Sequence, residues 1–141
     1  MSDKLRWPTF WALVAVFLLI ICFLAIPPFH ELLRGFWFLA PIALFFLLGI
    51  ALIVFSVRGS ASGGLKKFFI LTGASAVGVL VSVVLHNLIY GLFEYFAGAG
   101  FWNGGDEFFF FIVAVIVCPL GFLVGVVGTI VIGARRLKAA S

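Results

Sequence analysis

Residues 108–134 read FFFFIVAVIVCPLGFLVGVVGTIVIGA, a stretch without Asp, Glu, Lys, Arg or His, preceded by Asp106-Glu107 and closed by Arg135, Arg136 and Lys138. A helix rises about 1.5 Å per residue and a bilayer's hydrocarbon core is about 30 Å thick, so roughly 20 apolar residues suffice to cross it. The stretch reads as a membrane span. Working outward, three more runs have the same character: Trp7 to Ile26, closed by Pro27 and Pro28; Phe36 to Val57, stopped by Arg58-Gly59; and Phe68 to Ala97, ending in Gly98-Ala99-Gly100. Membrane barrels use strands of about ten residues in strict alternation, and these runs do not alternate. The expected fold is therefore all-α: a polytopic membrane protein with four transmembrane helices over 7–26, 36–57, 68–97 and 108–134, forming a single membrane domain across 1–141.

Composition agrees. Of 141 residues, 65% are apolar and 10% are Asp, Glu, Lys or Arg, against roughly 45–50% and about 25% in soluble domains. Four spans of about 20 residues leave no room for a soluble catalytic domain. The net charge of +4 comes from basic residues scattered between apolar runs, so no groove-sized patch for nucleic acid is expected. The lipid bilayer is the expected partner.

The basic residues act instead as topology signals. Lys4, Arg6, Arg58, Lys66, Lys67, Arg135, Arg136 and Lys138 fall on one side of the four spans, and Arg34 alone falls on the other. By the positive-inside rule both termini and the 58–67 connection are expected in the cytoplasm, with the connections around His30 and Asp106 outside. Trp7 and Trp11 fall at the inner boundary, and Trp37, Tyr90, Tyr95 and Trp102 at or beyond the outer one, where amphipathic rings prefer to sit. The first run is longer than the core of a secretory signal and lacks a small-residue cleavage pattern, so it is expected to remain as a span. A multi-pass protein of a prokaryotic plasma membrane is the expected localisation.

Lipid tails remove most of the hydrophobic drive for helix association, so small residues that let backbones approach become informative. In span four Gly121, Gly125, Thr129 and Gly133 recur every four positions, with Gly128 beside them, and span three offers Gly73, Ala74, Ser75, Ala76, Gly78 and Ser82. Tight packing of these two helices is expected. Span one has no glycine and is expected to be peripheral and widely lipid-facing. Pro41 and Pro119 lie inside apolar runs and are expected to kink or adjust their helices.

Both histidines and four of the five acidic residues fall towards the outer side: His30, Glu31, His86, Glu94, Asp106 and Glu107. His86, Tyr90 and Glu94 are spaced by four, so neighbours lie one helical turn apart, and Asn87 adjoins them. An ionisable group in a span is a functional-site hypothesis by default. Against it stands a structural role, in which His86 is satisfied by Asn87, a carbonyl or water, while Asp106 and Glu107 complement the positive end of the fourth helix. The Gly-rich connection from Gly98 to Gly105 reads as a flexible turn carrying Trp102. No metal-ligand spacing, cofactor fingerprint or nucleophile–base arrangement occurs, so no metal, cofactor or catalytic residue is expected. Cys22 and Cys118 differ in expected depth by roughly 9 Å, too far for a disulfide, and are expected as free, buried thiols.

In residues 71–90, Leu-Thr-Gly-Ala-Ser-Ala-Val-Gly followed by Leu-His-Asn-Leu-Ile-Tyr-Gly, and in residues 114–128, Ala-Val-Ile-Val-Cys-Pro-Leu-Gly-Phe-Leu-Val-Gly-Val-Val-Gly, the chain resembles a group of small uncharacterised prokaryotic four-span membrane proteins. The resemblance covers spans three and four and implies no activity. Abundant packing motifs without catalytic ones point to a noncatalytic assembly or interaction component, with a second copy or another membrane protein as partner. The alternative is a small transporter or channel subunit, with an outer vestibule around His86, Tyr90 and Glu94.

Overall fold

A computed structural model of the chain describes residues 2–26, 39–98, 100–103 and 105–140, all-helical apart from short connections. Helix α1 spans Ser2–Ala25, α2 Leu39–Arg58 and α3 Gly63–Ala97. Helix α4, residues 109–140, is built from an α-helical turn Phe109–Ile112, a π-helical turn Val113–Val117 and the α-helix Cys118–Ala140. All four are long and apolar enough to cross a membrane. Helix α3 starts five residues ahead of its apolar run, because Lys66 and Lys67 are good helix formers that the run's hydropathy leaves out. Its 35 residues make a helix about 52 Å long, well beyond a hydrocarbon thickness of about 30 Å.

Each helix packs along its sequence neighbour: α1 on α2, α2 on α3, α3 on α4. The exterior is apolar, with Leu18, Leu47, Val84, Val124 and Val127 all exposed, whereas Ser56, Thr72, Ser75, Ser82 and Thr129 are buried. That inversion suits a bundle in lipid, where apolar surface carries no penalty and small polar side chains permit close approach. Ser56 and Thr72 satisfy their hydroxyls on the carbonyls one turn back, Leu52 and Phe68.

The basic end is solid. Phe10 and Leu13 of α1 are fully buried against Leu52 and Phe69, and Trp7 stands edge-on to Phe10 and Phe69 at 5.7 and 5.2 Å. Arg6 is 7% exposed, lies over the Phe69 ring at 5.3 Å, and donates to Asp3 at 2.7 Å. Asp3 in turn accepts from the Ser60 backbone N–H and hydroxyl, each at 3.0 Å, tying α1 to the connection after α2. Helix α1 is the least buried of the four spans, exposing positions such as Leu18, while its Arg6–Phe10–Leu13 stripe is core and the half-buried Trp7 packs against it.

Glycine sets the crossings. A Cβ on Gly49 would lie 2.8 Å from the Gly73 carbonyl oxygen, and one on Gly73 would lie 2.7 Å from that of Gly49, so α2 and α3 meet backbone to backbone. Across α3 and α4, Gly121 faces Ser75, Gly125 faces Thr72, Gly128 lies under the Phe68 ring, and Gly78 makes room for the Cys118 thiol. The small-residue surfaces therefore divide among three interfaces, contrary to one α3–α4 ridge. Gly73 serves α2, Gly133 receives the Trp7 ring of α1, and Ala74 is exposed. Of the cysteines, Cys118 is free and buried, while Cys22 is free but exposed, a correction to its expected burial.

Of the two prolines expected to adjust their helices, Pro119 does so. The ring of Pro119 cannot donate to a carbonyl one turn back and crowds it; the helix before it widens into the π turn Val113–Val117. Pro41 is the third described residue of α2, and the residues ahead of Leu39, 27–38, lie outside the described residues.

Candidate ligand site

Three phenylalanines from three helices form a layer across the bundle. Phe17 stacks on Phe122 at 4.5 Å, Phe45 tilts against Phe122 at 5.2 Å, and Phe17 and Phe45 are 6.0 Å apart. On the basic side of this layer lie the buried Phe10, Leu13, Leu52 and Phe69. On the other side is a cavity of about 580 Å³ to which all four helices contribute: Ile20, Ile21 and Leu24 from α1, Ile42 from α2, Val79 and Val83 from α3, Phe111, Ala114, Val115 and Pro119 from α4, with Phe17 and Phe45 as its floor. The π turn and Pro119 form one wall, and π-helical insertions of this kind recur at functional sites. Among the described residues that line it, two are polar, His86 and Asn87 of α3.

His86 is held by the segment that leads into α4. Its Nδ1 lies 3.1 Å from Glu107 Oε2, and its Nε2 lies 3.5 Å from Asp106 Oδ2. Glu107 is 6% exposed, and its carboxylate accepts the Phe109 N–H at 2.8 Å and the Phe110 N–H at 3.0 and 3.2 Å, capping the start of α4. Asp106 accepts the Glu107 N–H at 2.8 Å and keeps most of its side chain exposed. One pair of acids thus caps a helix and grips a histidine; the capping and histidine-pairing roles coexist. The Phe111 ring lies 5.8 Å from the imidazole.

What brings these acids to His86 is the fold-back of the 98–108 connection along the last turns of α3. Trp102 stacks on Tyr90 at 5.8 Å and donates its indole N–H to the Tyr90 carbonyl at 3.3 Å, while Phe101 stacks on Phe93 at 4.8 Å. Turns closed by Phe101 N–H to Gly98 O and Asn103 N–H to Gly100 O complete it. The described part of this connection is therefore a packed turn, in contrast to the flexible one expected. Asn103 adopts a left-handed φ of 48°, which asparagine tolerates.

The expected polar row separates into two units. His86 pairs with Asp106 and Glu107, whereas the Tyr90 hydroxyl donates to Glu94 at 3.1 Å one turn further out. Asn87 donates to the Val83 carbonyl at 2.8 Å. His30 and Glu31 lie outside the described residues. Among those described, no group of three His, Cys, Asp or Glu side chains is disposed to hold a metal ion. Composition-level reading missed the phenylalanine layer, the role of Trp102 and Gly49; only Gly49, a small residue within a span, carried a recognisable signal. No protein-family model, curated protein or solved structure matches the chain.

Proposed function

We propose that the protein is a noncatalytic interaction component of the membrane that takes the apolar part of an amphiphile from the bilayer into the cavity between its four helices. The observation that carries the reading is the cavity itself: about 580 Å³, floored by Phe17 and Phe45, apolar on its walls, and polar at His86 and Asn87. Ligand sites commonly measure about 300–1,000 Å³, with apolar walls and a few polar groups that fix orientation. The cavity's walls open to the bundle surface, where Leu24 and Val115 are exposed, and left empty they would forfeit dispersion contacts. A lipid-phase chain supplies them. The distribution of basic residues supports an orientation with the basic end at the cytoplasm and the cavity in the outer half; the membrane proposed is the plasma membrane of a prokaryote.

The test is to map where a lipid-phase probe resides. A long-chain alcohol carrying a diazirine is expected to label Ile42, Val79 and Val83 in nanodiscs in excess of Leu47 and Val127, and Ala114→Phe, which fills the cavity, is expected to remove that excess. Labelling confined to outward-facing positions in the folded wild type would overturn the reading.

A further inference from the structure

A second apolar recess lies on the outside of the bundle, where α3 and α4 pack. It is an open groove of about 410 Å³ lined by Phe68 of α3 and by Leu123, Val124, Val127 and Gly128 of α4. The missing side chain of Gly128 makes the groove: the Phe68 ring lies on its backbone, and Val124 and Val127 beside it are each more than half exposed. Acyl chains fill such a recess in any bilayer, so the groove alone selects no lipid. The charges at its end do.

Val124, Gly128, Val131 and Arg135 recur at i, i+4, i+7 and i+11, so one stripe of α4 leads from the groove wall to a guanidinium about 10 Å nearer the basic end. Lys67 immediately precedes Phe68 and heads a stripe of α3 with Leu71 and Ala74 at i+4 and i+7, all three exposed. The two helices are antiparallel, since Gly64 lies beside Ile132, Phe68 on Gly128 and Thr72 against Gly125. Helical side chains lean towards the start of their own helix. Lys67 therefore leans towards the basic end and Arg135 back from it, and the two cations converge about one turn beyond Phe68.

Neighbouring cations are engaged: Arg136 donates to the Ser62 carbonyl at 2.9 Å and Lys66 to the Val57 carbonyl at 3.4 Å. Both acceptors are neutral, so no positive charge is cancelled. Lys67 and Arg135 have no hydrogen bond or ion pair among the described residues. Residues 58–67 and 129–138 hold Arg58, Lys66, Lys67, Arg135, Arg136 and Lys138 without an Asp or Glu, and Asp3 of α1 is committed to Arg6 and Ser60. We propose that the groove holds one acyl chain of an anionic phospholipid from the leaflet at the basic end, with the phosphodiester on Lys67 and Arg135. A zwitterionic lipid offers the same phosphate but carries an ammonium that this surplus of cations repels. The groove lies towards the other end of the bundle from the four-helix cavity, and its lipid binds whether or not that cavity is occupied.

The experiment uses phosphatidylglycerol and phosphatidylcholine that carry the same mid-chain diazirine, each added in trace to phosphatidylcholine nanodiscs, with the adducts mapped by peptide. Phosphatidylglycerol is expected to label Phe68, Val124 and Val127 about tenfold more than phosphatidylcholine in low salt, through two cations at its head group, and the excess is expected to shrink as salt screens it. Lys67→Gln with Arg135→Gln, both at exposed positions, is expected to remove the excess while phosphatidylcholine still labels the groove, which reports that the bundle is folded. Lys4→Gln with Arg58→Gln takes the same charge from α1 and α2 at this end, away from the groove, and is expected to keep most of the excess. Equal labelling by the two lipids in low salt, or an excess that survives Lys67→Gln with Arg135→Gln, overturns the proposal. An equal loss in both double variants also overturns it, by replacing a site with diffuse surface charge. So does loss of the excess to inorganic phosphate at matched ionic strength, which would identify a free anion as the ligand of the two cations.

Discussion

Removing the Glu107 carboxylate leaves two backbone N–H groups at the start of α4, those of Phe109 and Phe110, without their acceptor and His86 without its closer partner, all in a nearly buried setting. Glu107→Ala is therefore expected to cost roughly 1–3 kcal/mol, read as a lowered melting temperature in detergent. Asp106→Ala, whose side chain is 62% exposed, is expected to cost less than about 1 kcal/mol. Equal losses would contradict the division of labour between the two acids. The sequence marked all the residues of this cluster, yet its local spacing favoured His86 with Tyr90 and Glu94. Helical periodicity sees only partners on the same helix. The acids reach His86 because Trp102 and Phe101 lay the connection back along α3, and no local pattern announces that fold-back.

At the scale of elements the helices were legible, since hydropathy runs and the bilayer's thickness fix them, but their rotations were not. A ridge of small residues can serve any neighbour, and which one it meets depends on how each helix turns. Gly73 turned to α2, Gly133 to α1, and Gly121, Gly125 and Gly128 to α3. Gly125→Leu, which drives side-chain bulk into the Thr72 backbone, and Gly49→Leu, which drives it into Gly73, are each expected to lower stability by about 1–3 kcal/mol. Leu18→Ala removes an exposed side chain and is expected to change melting little. A Gly49→Leu protein that melts like wild type would refute the backbone contact between α2 and α3. The π turn before Pro119 belongs to the same class of feature. Proline forecast an adjustment of the helix, and only the surrounding packing decided that it would widen instead of bend.

For the whole molecule, charge along the chain forecast a basic end, and the bundle gathers those residues at one end, where Arg6, Asp3 and Ser60 knit α1 to the α2–α3 connection. The membrane orientation is checked in a cysteine-free background: Ser62→Cys is expected to resist an impermeant thiol reagent in intact cells, and Asn103→Cys to react with it. The reverse pattern would invert the assignment. The cavity was not legible, because a void is defined by what four helices fail to fill together, and its apolar lining reads in sequence like any lipid-facing surface. It is the claim on which the functional account stands. Native mass spectrometry of protein released from nanodiscs containing dodecanol tests it most directly. The account predicts one alcohol retained per chain in the wild type and in Leu47→Phe, whose change faces outward, and its loss in folded Ala114→Phe. Retention in Ala114→Phe equal to the wild type, or none in any of the three, would contradict it.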